Sequence, residues 1–252
     1  MLLQVKDVYK SYSKIGSFRS KDKLSVLQGI SFSIEKGQCV GLIGESGSGK
    51  STLSRLILGL ERPNNGSIFI EEQPVCKWIK ENQGQMSVVF QDYTSSTNPR
   101  FTVKEVIAEP MLAFEKKDKI KEKVEELLVR VGLSKDVMDR YPHELSGGQL
   151  QRVCIARAIS TKPKFIVLDE AISSLDVSIQ AQVIKLLKKL KEDLDMTYLF
   201  IAHDLQAVAN LCDQVLFLYK GKIVENISSN NLVNVKSEYA QRLLNSVMPF
   251  SI

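Results

Sequence analysis

Gly44-Glu45-Ser46-Gly47-Ser48-Gly49-Lys50-Ser51 stands between two segments of different period. Before it, Cys39-Val40-Gly41-Leu42-Ile43 is a short apolar run with the length and character of a buried strand. After it, Thr52 to Leu60 places Leu53, Leu56, Ile57 and Leu60 on one helical face. Strand, glycine-rich turn and helix in that order, with G-x-x-x-x-G-K-[ST] spacing, predict a phosphate-binding loop. The glycines let backbone N–H groups close around phosphate oxygens, and the helix start adds partial positive charge. Lys50 is placed to reach the β- and γ-phosphates of a nucleoside triphosphate, and the Ser51 hydroxyl to ligate Mg²⁺. The candidate binding segment is therefore Gly44, Glu45, Ser46, Gly47, Ser48, Gly49, Lys50, Ser51 and Thr52.

Outward from the loop the pattern is α/β at both ends. Val26 to Ile34 alternates with period two and stops at the turn Glu35-Lys36-Gly37, and Pro63-Asn64-Asn65-Gly66 is a second turn. Lys119 to Val131 carries Ile120, Val124, Leu127, Leu128 and Val131 on one helical face and is stopped by Gly132. A further helix is predicted from Gln149 to Ser160, closed by Pro163. The α/β pattern resumes with a strand at Phe165–Leu168, a helix at Ile179–Leu194, a strand at Tyr198–Ala202 and an apolar run at Val215–Tyr219. The expected layout is a single nucleotide-binding domain spanning 1–252. Its core comprises 1–92 and 161–252, with a helical insertion over about 93–160.

Composition narrows the class. The 252 residues are 44% hydrophobic and 25% charged, the mix of an ordinary globular chain, with a net charge of +5. No apolar run reaches the ~18–20 residues a membrane span needs. Met1-Leu2-Leu3-Gln4-Val5-Lys6-Asp7 lacks the charged and apolar regions of a secretory signal. Cys39, Cys76, Cys154 and Cys212 are scattered without a CxxC pair, so no zinc or iron–sulfur site is expected and a reducing cytoplasm is the simplest setting. An Asn-Lys-x-Asp base-reading motif is missing, which argues against a P-loop GTPase.

Two further stretches complete the chemistry. Phe165-Ile166-Val167-Leu168-Asp169-Glu170 is a buried strand ending in two acids. Asp169 is placed for the Mg²⁺ shell and Glu170 to polarise an attacking water. Leu145-Ser146-Gly147-Gly148-Gln149 opens a helix, with Ser146 as N-cap and the glycines exposing N–H groups.

Leu145 to Arg152 matches the signature motif of ATP-binding-cassette (ABC) ATPases, and other elements fall in that family's order. Gln91 resembles the Q-loop glutamine, Ser174-Leu175-Asp176 the D-loop, His203 the switch histidine, and Tyr12 the aromatic that stacks on adenine. Ala171-Ile172 stand where many members have Pro-Thr. The resemblance spans Tyr12 to His203 and implies a P-loop NTPase fold of the ABC ATPase kind: a RecA-like core with an antiparallel β subdomain and a helical subdomain. It implies ATP and Mg²⁺, the ion held by Ser51, Gln91 and Asp169, and a catalytic set of Glu170, His203 and Gln91. It also implies that Ser146, Gly147, Gly148 and Gln149, with Asp176, complete the nucleotide site of an opposing subunit.

Phe90-Gln91-Asp92 followed by Asn98-Pro99-Arg100, and the tail Glu238-Tyr239-Ala240-Gln241-Arg242-Leu243-Leu244, resemble importer ATPases of the peptide, nickel and opine group. Gln149 to Cys154 and Val183 to Leu190 are most similar to the second ATPase of nickel and metal–metallophore importers. The implied partners are a paralogous ATPase subunit, two transmembrane permease subunits and an extracellular solute-binding protein, at the cytoplasmic face of the membrane. Neither a long coiled coil nor a second cassette is present, so no nucleic-acid partner is expected.

Overall fold

The computed structural model describes residues 1–13, 23–114, 119–173 and 175–247. They fall into two compact units, Met1–Asn82 with Thr197–Ile252, and Gln83–Met196.

The first unit opens with β1 (Leu3–Ser13), β2 (Lys23–Ile34), β3 (Cys39–Ile43), α1 (Lys50–Ile57), β4 (Asn65–Ile70), β5 (Gln73–Pro74) and α2 (Val75–Glu81). The second unit contains β6 (Met86–Val89), α3 (Val103–Ala108), α4 (Ile120–Arg130), α5 (Gly147–Ile159), β7 (Phe165–Asp169) and α6 (Val177–Leu194). The chain returns to the first unit with β8 (Thr197–Ala202), α7 (Leu205–Leu211), β9 (Gln214–Tyr219), β10 (Lys222–Ser228) and α8 (Glu238–Val247).

In the first unit β2, β1, β4 and β5 form an antiparallel sheet in that order. Leu3 lies opposite Ile34 and Tyr12 opposite Leu24. Leu3, Val5, Val8, Leu27, Ile30, Phe32 and Ile34 are buried. The step from Val5 to Val8 breaks the two-residue period because the register shifts there, with Asp7 at φ 46. Strands β10, β9, β3 and β8 form a second sheet in which β3 runs parallel to both β8 and β9. β3 and β8 are buried along their whole length, as continuous apolar strands in a parallel sheet should be. α7 covers β3 so closely that a Cβ on Gly41 would run into Val208. Lys220 and Gly221, at φ 46 and 77, form the two-residue left-handed turn from β9 to β10.

α1 stops at Ile57, short of the Leu60 expected from periodicity. Gly59 takes φ 69 and Leu60 N–H reaches back to the Arg55 carbonyl at 2.9 Å, a left-handed closure that satisfies the last carbonyls. In the second unit β6 and β7 pair in parallel, Met86 opposite Phe165. Val103, Val106, Ile107, Val124, Leu128, Val153 and Ile155 supply buried apolar faces of α3, α4 and α5. No helix among the described residues is long and apolar enough to cross a membrane.

Candidate functional site

The loop after β3 is built on left-handed glycines. Gly47 has φ 79 and Gly49, the N-cap of α1, has φ 111. Successive peptides turned this way aim their N–H groups into one concavity. A Cβ on Gly49 would stand 2.7 Å from Leu27 Cδ2, and one on Gly44 would overlap the Leu218 carbonyl, so these positions exclude a side chain on space as well. Lys50 is only 6% exposed. Its Nζ donates to the carbonyls of Gly44 at 2.7 Å and Glu45 at 3.1 Å, folding the side chain back over the loop. Ser48 N–H also donates to the Glu45 carbonyl, at 3.1 Å. Ser48 is buried and its Oγ has no hydrogen-bond partner; Ser51 is exposed and Thr52 buried. Gly221 N–H donates to the Ser48 carbonyl at 3.1 Å, and Glu45 N–H donates to the Tyr239 hydroxyl at 2.9 Å. Backbone N–H groups, one buried ammonium and free-standing hydroxyls are the donor chemistry that fits a polyphosphate, and the exposed Ser51 hydroxyl fits a hard cation.

Tyr12 lies near the end of β1, half-buried. Its hydroxyl donates to Glu61 Oε2 at 2.7 Å, and Lys10 Nζ sits 5.1 Å from its ring centroid and 3.0 Å from the same carboxylate oxygen. The Tyr12 hydroxyl first, then Lys10 and Arg55, hold the Glu61 carboxyl below the usual range. His203 follows β8 directly and is exposed; Asp204 then caps α7, accepting Gln206 N–H at 2.8 Å.

In the second unit β7 delivers Asp169 and Glu170, both half-buried. Glu170 has φ 50, a left-handed conformation that side chains other than Gly, Asn and Asp seldom take. Neighbours over-determine it. Its carbonyl accepts from Ser173 N–H at 3.1 Å and Ser173 Oγ at 2.9 Å. Gln151, fully buried on α5, donates Nε2 to the Ala171 carbonyl, and Gln180 of α6 donates to Ile172 at 3.0 Å. Backbone strain held this way is typical of reactive turns. Asp176 is exposed and occupies the N-cap of α6 without a side-chain cap bond, while Ser174 lies outside the described residues.

Gln91 is exposed, two residues beyond β6. Asp92 turns the chain after it, accepting from the N–H groups and hydroxyls of Thr94 and Ser95. Those bonds, the Ser95 hydroxyl foremost, hold the Asp92 carboxyl far below its ordinary range. Arg157 of α5 then donates to the Ser96 carbonyl and hydroxyl. At the other end of α5, Ser146 Oγ accepts Gln149 N–H at 3.3 Å and Gln149 Oε1 accepts Ser146 N–H at 3.0 Å, a complete capping box. A Cβ on Gly147 would stand 2.8 Å from the Tyr93 hydroxyl, and one on Gly148 2.9 Å from Ile179 Cγ2. α5 thus gathers the Gln91 segment, the Glu170 turn and the Ser146 turn.

The sequence reading missed Tyr93, Gln151, Arg157 and the bond made by Tyr239. Each contacts a site segment far away in sequence, and no local spacing marks such a contact.

A family profile described as ABC transporter matches residues 27–173. Over 251 residues the chain is 45% identical to the metal-staphylopine import system ATP-binding protein of Staphylococcus aureus (strain NCTC 8325 / PS 47), covering 99% of this chain and 100% of that protein. It is 42% identical to an oligopeptide transport ATP-binding protein of Bacillus subtilis (strain 168), covering 98% of this chain and 78% of the relative. Among solved structures it is similar to a dimeric, post-hydrolysis ATP-binding cassette bound to ADP and Pi, with TM-score 0.79 and 26% identity over 90% of this chain and 99% of that one. With the profile matching more than half its length and full-length relatives well above 30% identity, the chain belongs to the ABC transporter family.

Proposed function

We propose that this chain is the ATP-hydrolysing, energy-coupling subunit of an importer whose cargo is nickel or a metal–opine complex. The observation that carries the reading is the completeness of the hydrolytic set. The loop with its buried Lys50, the Asp169-Glu170 pair and the capped Ser146 turn are all intact in a chain that matches an import-system ATP-binding protein from end to end.

In this reading Tyr12 stacks on the adenine, and Gly44 to Thr52 wrap the phosphate tail. For the tail to enter, Lys50 leaves the Gly44 and Glu45 carbonyls and pairs with phosphate oxygens instead. Ser51, Gln91 and Asp169 would hold Mg²⁺, which when bound neutralises charge on the phosphates. Glu170 accepts a proton from the attacking water, its backbone held in the left-handed turn. His203 donates to the terminal phosphate, and Gln91 reports the state of the site to the permease. Ser146, Gly147, Gly148 and Gln149, with Asp176, face the nucleotide of an opposing ATPase subunit, read here as an unlike paralogue. Closure on two ATP molecules and reopening after hydrolysis would drive two permease subunits fed by an extracellular solute-binding protein. The chain then sits peripherally on the cytoplasmic face of the membrane, as one domain with a core of 1–92 and 161–252 and a helical arm over about 93–160. The Bacillus relative favours a second reading, oligopeptide import.

The test uses the chain co-purified with its native subunits. Glu170→Gln should lower turnover by about 10²- to 10⁴-fold while ATP still binds; near-normal hydrolysis removes Glu170 from the catalytic role. Recovery of nucleic acid in place of two permeases would overturn the transport reading. Disrupting the chain should reduce uptake of nickel or chelated metal, whereas lost peptide uptake with intact metal uptake selects the second reading.

A further inference from the structure

Tyr239 is the second residue of α8 and is 5% exposed. Its ring stacks on Tyr219 at the end of β9, centroids 4.4 Å apart and planes at 26°. Its hydroxyl accepts the Glu45 N–H at 2.9 Å, across 194 residues of sequence. Glu45 is exposed as a residue, yet its N–H bonds to a buried phenol. Burial pushes that phenol above its ordinary range, so it stays neutral.

The Glu45 residue is held at both ends. Its N–H goes to Tyr239; its carbonyl receives Ser48 N–H and Lys50 Nζ. The support behind Tyr239 is equally fixed. Glu225 of β10 accepts the N–H groups of Lys236 at 3.0 Å and Ser237 at 2.6 Å, and Ser237 Oγ accepts Ala240 N–H at 3.2 Å. A continuous series of bonds therefore runs from β10 through the start of α8 to the residue that anchors Lys50.

We propose that Tyr239 is a positioning residue of the phosphate loop: its hydroxyl fixes the Glu45 residue so that the loop receives the phosphate tail of a nucleoside triphosphate, and α8 thereby sets how tightly that tail is held. The proposal rests on the nucleotide-binding reading above. It separates the hydroxyl, which acts on the loop, from the ring, which only packs α8 against β9.

Tyr239→Phe keeps the ring, its stacking and its burial, and removes only the hydroxyl that accepts the Glu45 N–H. The full chain carrying it should bind ATP roughly two- to tenfold more weakly, while its affinity for AMP, which has no β- or γ-phosphate, stays at the wild-type value. Amide hydrogen exchange at Glu45 should speed up in the same variant without nucleotide. Tyr239→Ala, which also loses the stacking, should lower the Tm. A role confined to packing predicts the Tm loss in the Ala variant and wild-type ATP affinity in the Phe variant; that result overturns the proposal. Wild-type chain that fails to bind ATP sinks the nucleotide reading and this proposal with it, whereas wild-type binding with an equal Phe variant sinks this proposal alone.

Discussion

Gly49 and Gly147 each stand at the start of a helix, α1 and α5, and glycine serves a different purpose at the two places. Gly49 has φ 111, a backbone state other residues reach only under strain. Gly147 lies in the first turn of a right-handed helix, and a side chain there would meet only the movable Tyr93 hydroxyl beside it. The first turn contains a buried ammonium that closes it from within; the second closes itself with the Ser146–Gln149 capping box and has an exposed rim. Under the proposed function, the Gly49 loop would enclose its ligand with its own backbone. The Ser146 turn presents a finished helix end, which suits a surface that something else completes.

Lys50→Ala should break the comparison most forcefully. Removing a charge-assisted donor from an enclosed loop should weaken ATP binding by about a hundredfold or more, read as the Kd of the full chain. Retained affinity would mean the loop is no more specialised than the Ser146 turn. The glycines give the next effect. Gly49→Ala should cost about 1–2 kcal/mol from the left-handed backbone alone, a Tm loss of roughly 2–4 °C per kcal/mol. Gly147→Ala should cost less than about 0.5 kcal/mol, because the Tyr93 hydroxyl is the far end of a side chain that can turn aside. Equal losses would erase the distinction between conformational and packing glycines. Ser146→Ala is the finest test, removing the N-cap acceptor of α5 for about 1 kcal/mol or less at an exposed end. Thermal melts compared with the Gly147 variant would show whether the capping box is the main stabilising element of that turn.

The strand–loop–helix unit was legible because its signal is local: five apolar residues, fixed glycine spacing, then a 3.6-residue period. The helical middle was legible from Lys119 to Val131 for the same reason, and the structure places α4 at Ile120–Arg130. The end of α1 was overrun because apolar period was weighed above Gly59, whose left-handed turn stops the helix. Glu170 shows a different limit. Nothing in its residue type announces φ 50; the conformation is imposed by Ser173, Gln151 and Gln180, two of them on other helices. Tyr12 was read as the aromatic that stacks on adenine; the structure adds that its hydroxyl donates to Glu61 and that Lys10 lies by its ring, contacts that its position in sequence does not mark. A Cβ on Gly147 or Gly148 would meet Tyr93 or Ile179, neighbours that sequence spacing does not reveal.

Lys50 bonded to the Gly44 and Glu45 carbonyls makes the loop its own competitor. Under the proposed function, occupancy is an exchange in which the ammonium gives up two carbonyl oxygens to gain phosphate ones, so affinity is a difference between two sets of bonds. The same tether works in reverse. A displaced lysine stays tethered beside its old partners at a high effective concentration, so once the phosphates leave, the two carbonyls can recapture it without a diffusional search.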